Sequence, residues 1–325
     1  MEYIERNGTS SKDAWLEKRK GYVTGTDVAK IMGVAPSSWG GKFSVWLDKT
    51  GKGAEVEQNG AMRAGLAFES GILKMYAEDT NTKLEHMDGY ELKTSEKYPR
   101  LACSLDGWNH TNGCPVDAKN IRWKNESWGD AWTSDFPEYY KTQLQVQMMV
   151  TGAKEAHLAV MFSGQDFVIY RMDYDEKLAD AIVKAVEEFW PYVESCEQPD
   201  ADGSKATESY LKDVFAKGKE GKEKEADDAF GFLVKAFAAA KEATKEAKEK
   251  EAELGNRIRA YMGEATVVPG WCTWKNNKDS KETNWEGVAA EMLATLSPEA
   301  KSEVIARHTV IKPGNRTLRI TAKGL

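Results

Sequence analysis

The chain has 325 residues, of which 41% are apolar and 30% charged. That allows a sizeable core and one large domain with an appendage. No run nears the roughly 18 apolar residues that cross a bilayer, and the polar, acidic start "MEYIERNGTSSKDAW" lacks a signal-peptide core. A cytoplasmic protein without membrane partners is expected. The net charge of −7 weakly opposes nucleic-acid binding by overall electrostatics. A local basic channel on an acidic body is still compatible with "EKRKG" at 17–21 and "KNIRWK" at 119–124.

The predicted elements run as follows. "DAWLEKRKGYVTGTDVAKIMG" reads as a helix ending near Gly21, then a second with Thr26 as N-cap, Asp27 in its first turn and Gly33 as its stop. "FSVWLDKTG" at 43–51 is a short helix. "AMRAGLAFESGILKMYAEDT" at 61–80 is a longer one, broken or tightly packed at Gly65 and Gly71, with Leu66, Leu73 and Tyr76 at helical spacing. "YELKTS" and "RLACSLD" are strands, "GWNHTNG" a turn and "CPVDAKN" the strand leaving it. "FPEYYKTQLQVQMMVTG" is a helix from Pro137 to Gly152. A hairpin at 155–174 turns at Ser163-Gly164, and an amphipathic helix covers 176–195.

This order predicts an α/β core, a mixed central sheet flanked by helices, over residues 1–199. Residues 200–263 form a charged link and a long Ala/Glu/Lys-rich helical arm. Its apolar stripe, Phe230, Val234, Phe237, Leu254, Ile258 and Tyr261, is expected to pack at the two ends. Residues 264–325 read as a small α+β appendage: strand-like "ATVVPGWCTWKNN", a helix in "SPEAKSEVIARH" and a hairpin turned at "PGN" in "TVIKPGNRTLRIT".

The chemistry concentrates at 104–120, "SLDGWNHTNGCPVDAKN". In a strand, successive side chains face opposite sides. Val116 and Ala118 therefore point one way, Asp117 and Lys119 the other, towards Asp106 on the neighbouring strand. Two carboxylates projecting together repel, and burial makes this worse. A divalent cation relieves it, and aspartates without nearby His or Cys suit Mg²⁺ or Mn²⁺. A lysine beside such an ion can position or deprotonate water, or stabilise charge on a phosphate. The parts fit phosphodiester hydrolysis. A bare Asp-x-Lys is more often a surface hairpin closed by a salt bridge; the order Asp, then Asp-x-Lys after an apolar strand favours the site. Tyr140, Gln143 and Gln147 recur at i, i+3 and i+7, one face of the following helix, where neutral hydrogen-bonding groups could support carboxylates. The cysteines Cys103, Cys114, Cys196 and Cys272 lack paired metal-site spacing, and no histidine has ligand spacing; His110 reads as a turn residue. Of the tryptophans near the site, most read as packing. Trp123, between Arg122 and Lys124, is the best placed to stack on a base.

The blocks "VTGTDVAKIMG", "GLAFESGIL", "SLDG", "VDAKN" and "YYKTQLQVQMMVTG", in that order, resemble the YqaJ-like viral recombinases. This family, which includes the lambda-type phage exonucleases, belongs to the PD-(D/E)xK nuclease superfamily. The resemblance spans about residues 15–175. It implies a restriction-endonuclease-like core and a Mg²⁺- or Mn²⁺-dependent deoxyribonuclease with two ions. Asp106, Asp117 and the Ala118 carbonyl would be ligands, and Glu69 would serve a second ion. Lys119 would orient or activate water, with Gln143 and Tyr140 in support. It also implies a 5′-phosphate site at Arg19, Thr26 and Ser104; Thr26 as a mere N-cap and Ser104 as a mere strand residue stay open. Arg122 and Lys124 both flank the place of an expected basic residue. The implied activity is 5′-to-3′ digestion of linear double-stranded DNA, in phage-type recombination with a single-strand annealing protein. The implied form is a ring-like homo-oligomer, and the implied setting a bacterial cytoplasm, from a phage or prophage. A structure- or sequence-specific endonuclease and a non-catalytic DNA-end-binding protein are the alternatives. Asp117 stands where Glu is common, which shortens one ligand by a methylene.

Overall fold

A computed structural model describes residues 2–5, 11–53, 58–87, 89–216, 222–276 and 284–309. The chain divides into two compact units, Met1–Val214 and Phe215–Leu325. The first unit contains, in chain order, β1 (Glu2–Ile4), α1 (Lys12–Arg19), α2 (Gly25–Ile31), α3 (Lys42–Lys49), α4 (Gly60–Thr80), β2 (Lys83–His86), β3 (Lys93–Thr94), β4 (Ala102–Cys103), β5 (Gly107–Asn109), β6 (Cys114–Ile121), α5 (Glu138–Thr151), β7 (Glu155–Phe162), β8 (Asp166–Asp173), α6 (Glu176–Ser195) and α7 (Lys205–Val214).

Six strands form a mixed sheet in the order β1-β2-β5-β6-β7-β8. β1 runs parallel to β2 and β6 parallel to β7; the other pairs are antiparallel. Parallel pairing of β6 with β7 needs a crossover, and α5 supplies it. The β7–β8 turn uses Ser163 and Gly164, both at positive φ (53° and 71°), the geometry that matches hairpin twist.

One sheet face is closed by α4: Ile72, Leu73, Tyr76 and Ala77 pack on Leu84, Val116, Ala159 and Ile169. On the other face Leu144 and Met148 of α5 meet Leu158, Val160, Phe162, Tyr170 and Met172. The far side of α5, Val146 and Met149, is covered by Val28, Phe43, Trp46, Ile182, Val186 and Phe189 from α2, α3 and α6. Thus α5 is buried nearly all round, including Gln145 and Gln147. Burying a large aliphatic side chain gives about 1.5–3 kcal/mol, so the apolar positions of α5 anchor this central helix. Its glutamines then need partners inside the protein.

Several expectations are corrected. The N-cap of α2 is Thr24, with Thr26 inside the first turn. The two-residue shift follows from Asp27, whose carboxylate accepts from the Thr24 backbone N–H (3.0 Å) and hydroxyl (2.8 Å), while the Thr24 side chain accepts from the Asp27 backbone N–H to complete a capping box. Helix α4 is continuous through Gly65 and Gly71, and a Cβ at either would meet no atom within 4 Å. Leu66 is exposed rather than part of the Leu73–Tyr76 stripe. Gly107–Asn109, expected in a turn, is strand β5. β1 and β2 have no counterpart in the predicted elements.

Helix α7 belongs to this unit. Asp202 accepts from the Phe43 backbone N–H (3.2 Å) and the Thr207 hydroxyl (2.6 Å), and Tyr210 packs on Phe43.

The second unit holds α8 (Asp228–Met262), β9 (Val267–Val268), β10 (Cys272–Thr273), α9 (Trp285–Ala294) and α10 (Pro298–His308). Asp227 caps α8, accepting from the Phe230 N–H at 2.7 Å. Of the apolar stripe, Phe230, Phe237, Leu254, Ile258 and Tyr261 are exposed, and the neighbouring Met262 is buried. α9 is a helix with no counterpart in the predicted elements, and the expected hairpin at "PGN" lies outside the described residues. Among the described residues, no helix is long and apolar enough to cross a membrane.

Candidate metal centre

The site arises where the sheet opens. β5 pairs with β6 only through Gly107↔Val116, Trp108↔Pro115 and Asn109↔Cys114. Among the described residues, the β6 edge on that side has no strand partner beyond Val116, while β7 continues alongside to Ile121↔Phe162. One step further in the β5–β6 register would set Asp106 opposite Asp117. There the Asp106 carboxylate takes over the ladder's task, accepting from the Ala118 N–H at 2.9 Å. A peptide donor that would be orphaned by the missing strand is thus satisfied by an acid. Gly107 allows this close seat: a Cβ there would come within 3.1 Å of Leu73 Cδ2 and 3.4 Å of Leu84 Cδ1.

Strand alternation sends Val116 and Ala118 into the α4 layer and Asp117 and Lys119 towards α5. Asp117 is 1% exposed. Its Oδ1 accepts from Gln143 Nε2 at 2.8 Å and from Gln147 Nε2 at 2.9 Å. Its Oδ2 touches the Lys119 ammonium, which also lies 4.0 Å from Asp106 Oδ2 and 3.4 Å from the Ala118 carbonyl oxygen. Lys119 further sits 5.8 Å from the Tyr140 ring centroid. The face Tyr140–Gln143–Gln147 therefore meets Asp117 and Lys119 as its spacing implies.

The electrostatics are opposed on the two sides of the cleft. Burial, then the charges of Asp117 and Glu69, push the Asp106 carboxyl up to about 8, against the pull of Lys119 and the Ala118 N–H. Burial alone would lower Lys119, but Asp117 and Asp106 outweigh it and hold the ammonium above its usual range. Burial pushes the Tyr140 hydroxyl up as well. One ammonium is shared by two carboxylates with a third acid nearby, so the pocket carries excess negative charge. That donor set, all oxygens, fits a hard divalent cation. Asp106, Asp117 and the Ala118 carbonyl, which share the Lys119 ammonium, are the groups that could hold one, and Glu69 on α4 is near enough to Asp106 to raise its carboxyl.

Glu69 is mostly buried, its side chain 14% exposed, and accepts from or bonds to His86 Nε2 at 3.0 Å. His86 was invisible in the sequence because its strand, "KLEH", is too short to carry a pattern. Gln147 was legible only as a member of the helix face; its bond to Asp117 equals that of Gln143.

The other predicted residues lie around this centre in distinct roles. Gly25, preceding Thr26, packs directly on α5: a Cβ there would fall 2.7 Å from Gln143 Cα and 3.1 Å from Gln143 O. The start of α2 therefore abuts the helix turn that holds Asp117. Arg19 donates to the Thr24 hydroxyl (3.3 Å), lies 3.8 Å from Asp27 and stacks 4.7 Å over Trp15. Asp27 is 3% exposed and pairs with the fully buried Lys49 at 2.8 Å. Burial would raise its carboxyl, but Lys49 and Arg19 prevail and hold it well below the usual range. Ser104 donates its hydroxyl to the Glu91 carbonyl (2.8 Å) and accepts from Trp15 Nε1 (2.9 Å). Arg122 is exposed, its guanidinium 5.5 Å from the Trp123 ring. Lys124 bends back to the Gly129 carbonyl at 3.3 Å. Trp123 is 68% exposed, whereas Trp128 is buried against Tyr140 and Phe162.

A second group of ligand-type side chains, Cys114, Glu155 and His157, meets at the far end of β6 and β7. Arg171 supplies the cation there, 2.8 Å from Glu155, and the His157 Nδ1 is taken by the Tyr76 hydroxyl. Burial, then Glu155, raises the Cys114 thiol to about 12. The buried His157 Nε2 lies 3.6 Å from Glu155 Oε1 and makes no hydrogen bond among the described residues.

Residues 14–154 match the family model described as the YqaJ-like viral recombinase domain. Over that segment the chain resembles the YqaJ-like viral recombinases. The matched region contains Glu69, Asp106, Asp117, Lys119 and Gln143. The chain is 28% identical over 269 residues to the "uncharacterized protein YqaJ" of Bacillus subtilis (strain 168), covering 81% of this chain and 82% of that one. Among solved structures, the alkaline exonuclease LHK-Exo from Laribacter hongkongensis aligns over 63% of this chain and 98% of its own. Its identity is 20% and its TM-score 0.46. The same enzyme in complex with dAMP gives 20% and 0.45. A phage-related exonuclease from Haemophilus somnus 129PT aligns over 54% of this chain and 95% of its own, at 15% identity and TM-score 0.42.

Proposed function

We propose that this YqaJ-like domain is a divalent-metal-dependent deoxyribonuclease that digests linear double-stranded DNA from a 5′ end. The observation that carries the reading is the convergence of Asp106, Asp117 and Lys119 on the open edge of β6, with Gln143 and Gln147 bonded to Asp117. Mg²⁺ or Mn²⁺, as two ions when bound by Asp106, Asp117, Ala118 O and Glu69, would supply Lewis-acid stabilisation of phosphoryl charge.

The chain's own groups have separable tasks. The two glutamines neutralise no charge; they fix the Asp117 carboxylate plane, leaving Oδ2 directed at the cleft. Lys119 is an ammonium while both aspartates are ionised. It acts as a donor that orients the attacking water or a non-bridging phosphate oxygen, and it becomes a base only once the aspartate charge is neutralised. Tyr140, protonated, borders the same space as a neutral wall.

Arg19 and Thr26 are the preferred ligands of a 5′ phosphate. Thr26 follows Gly25, which touches Gln143, and α2 begins there. Ser104 would contribute through its Trp15 link. Arg122 and Lys124 would grip the backbone as it leaves the cleft. In cells of a bacterial host the 3′ strand left behind would pass to a single-strand annealing protein, and a homo-oligomeric ring would place the basic segments inside an acidic exterior.

The test incubates the full chain and Mg²⁺ with linear, nicked and closed-circular DNA, with and without a 5′ phosphate. Mononucleotide release restricted to linear ends and favoured by the phosphate supports the reading. Cleavage of closed circles would point to an endonuclease. End binding without cleavage, unchanged by Asp117→Ala, would refute an enzymatic role.

A further inference from the structure

We propose that His86 is the positioning residue of the metal centre, and that Glu5, just past the first strand, sets its orientation; this rests on Glu69 serving a metal ion. His86 ends β2 and pairs in register with Gly107, the residue after Asp106. The next residue, Met87, donates its backbone N–H to the Asp106 carbonyl at 2.9 Å. The same short segment therefore holds Asp106 by its main chain and Glu69 by its imidazole.

The His86 ring is 7% exposed and has a carboxylate at each nitrogen. Nε2 lies 3.0 Å from Glu69 Oε1 and Nδ1 lies 3.2 Å from Glu5 Oε1. The other Glu5 oxygen pairs with Lys74 at 3.1 Å, and Lys74 comes from α4, five residues beyond Glu69. The result is a closed circuit, Glu69–His86–Glu5–Lys74, that begins and ends on α4.

A glutamate side chain has three free torsions, and fixing them costs up to about 1.5–2 kcal/mol of rotamer entropy. In this circuit that cost is met during folding rather than at metal binding. Carboxylate ligands are commonly held by such outer hydrogen bonds, whose loss lowers metal affinity about 10–100-fold. Glu5 lies just past β1, which pairs parallel with β2 at Ile4↔Glu85. The N-terminal strand is thereby tied to the metal centre although it contributes no ligand.

The experiment measures Mn²⁺ binding to the intact, DNA-free protein, by titration calorimetry and by the paramagnetic resonance of free Mn²⁺. His86→Leu is expected to weaken the Glu69-dependent Mn²⁺ about 10–100-fold. His86→Gln, which restores a donor near Nε2, should return it to within a few fold of the unchanged protein. Glu5→Gln acts at an exposed position, where folding is not at risk, and should weaken the same ion about 2–5-fold, less than the 10–100-fold of a direct partner of the ligand. Adding His86→Leu to Glu69→Gln should cost nothing further. Unchanged Mn²⁺ affinity in Glu5→Gln and in folded His86→Leu, or full additivity with Glu69→Gln, overturns the inference. The underlying metal reading fails separately: Asp117→Ala would then bind Mn²⁺ as tightly as the unchanged protein.

Discussion

The buried pair Asp27–Lys49 is the most sharply testable support of the site, because α2 carries Gly25 onto Gln143. Replace Lys49 by Met, which keeps the length and apolar stem. Unit charges 2.8 Å apart attract by about 6 kcal/mol at an effective dielectric near 20. Part of that is returned, since Met no longer desolvates an ammonium. Removing one partner of a buried pair typically costs about 3–5 kcal/mol. Arg19 stays 3.8 Å from Asp27 with its side chain 23% exposed, so the lower end, about 3 kcal/mol, is expected. Asp27→Asn alone should cost less than Lys49→Met, because Asp48 stays 3.3 Å from the Lys49 ammonium and the Arg19 carbonyl 3.2 Å from it. The double variant should cost far less than the sum, giving a coupling of about 2–3 kcal/mol. Urea unfolding of the intact chain, followed by circular dichroism at pH 7, measures all three. The pH dependence has a fixed sign. The folded Asp27 carboxyl is held below its unfolded value, so its contribution is full above about pH 4 and is lost as pH falls further. The gap between the unchanged protein and Lys49→Met should therefore hold above about pH 4 and narrow as pH falls below it. Additive single variants, or a gap that stays constant with pH, would refute the reasoning.

Three further outcomes are expected. Asp106→Asn keeps an acceptor for the Ala118 N–H but removes a carboxylate whose pKa is pushed up to about 8. The metal-free protein should gain about 1–3 kcal/mol at pH 8 while losing Mg²⁺-dependent DNA hydrolysis; thermal melts with and without Mg²⁺ and a single-turnover assay check both. Gly25→Ala drives a Cβ to 2.7 Å from Gln143 Cα, backbone against side chain, and should destabilise by about 1–3 kcal/mol with a fall in kcat greater than in DNA affinity. Gln143→Leu should lower kcat about 10–100-fold, because Gln147 still holds Asp117 Oδ1 at 2.9 Å; Gln143→Leu combined with Gln147→Leu should lower it well beyond either alone.

The site was legible wherever a local pattern carried it. Alternation in "PVDAKN" separated Val116 and Ala118 from Asp117 and Lys119, and the seven-residue spacing put Tyr140, Gln143 and Gln147 on one face. Both hold in the structure because strand and helix periods are properties of the backbone itself. Helix α5 shows where that reasoning stops. Its glutamines read as one side of an amphipathic helix, yet α2, α3 and α6 cover the side turned away from the sheet, and Gln145 and Gln147 are buried. Whether a polar face meets water or another helix depends on elements far away in sequence, so no window along the chain contains it.

The sequence by itself determined the set of chemical groups and their local order: an acid before a turn, an acid and a lysine after it, a helix of neutral donors, and a glutamate on an earlier helix. Only the tertiary structure decided why they form a centre. β5 begins only at Gly107 and leaves the β6 edge open for Asp106, Gly25 lets α2 press α5 onto Asp117, and the first two strands bring His86 to Glu69. Each is a contact across many residues, fixed by which strand pairs with which and how closely two backbones can approach. Those are energies of the folded whole, and short strands such as "KLEH" carry no periodic signal from which to read them.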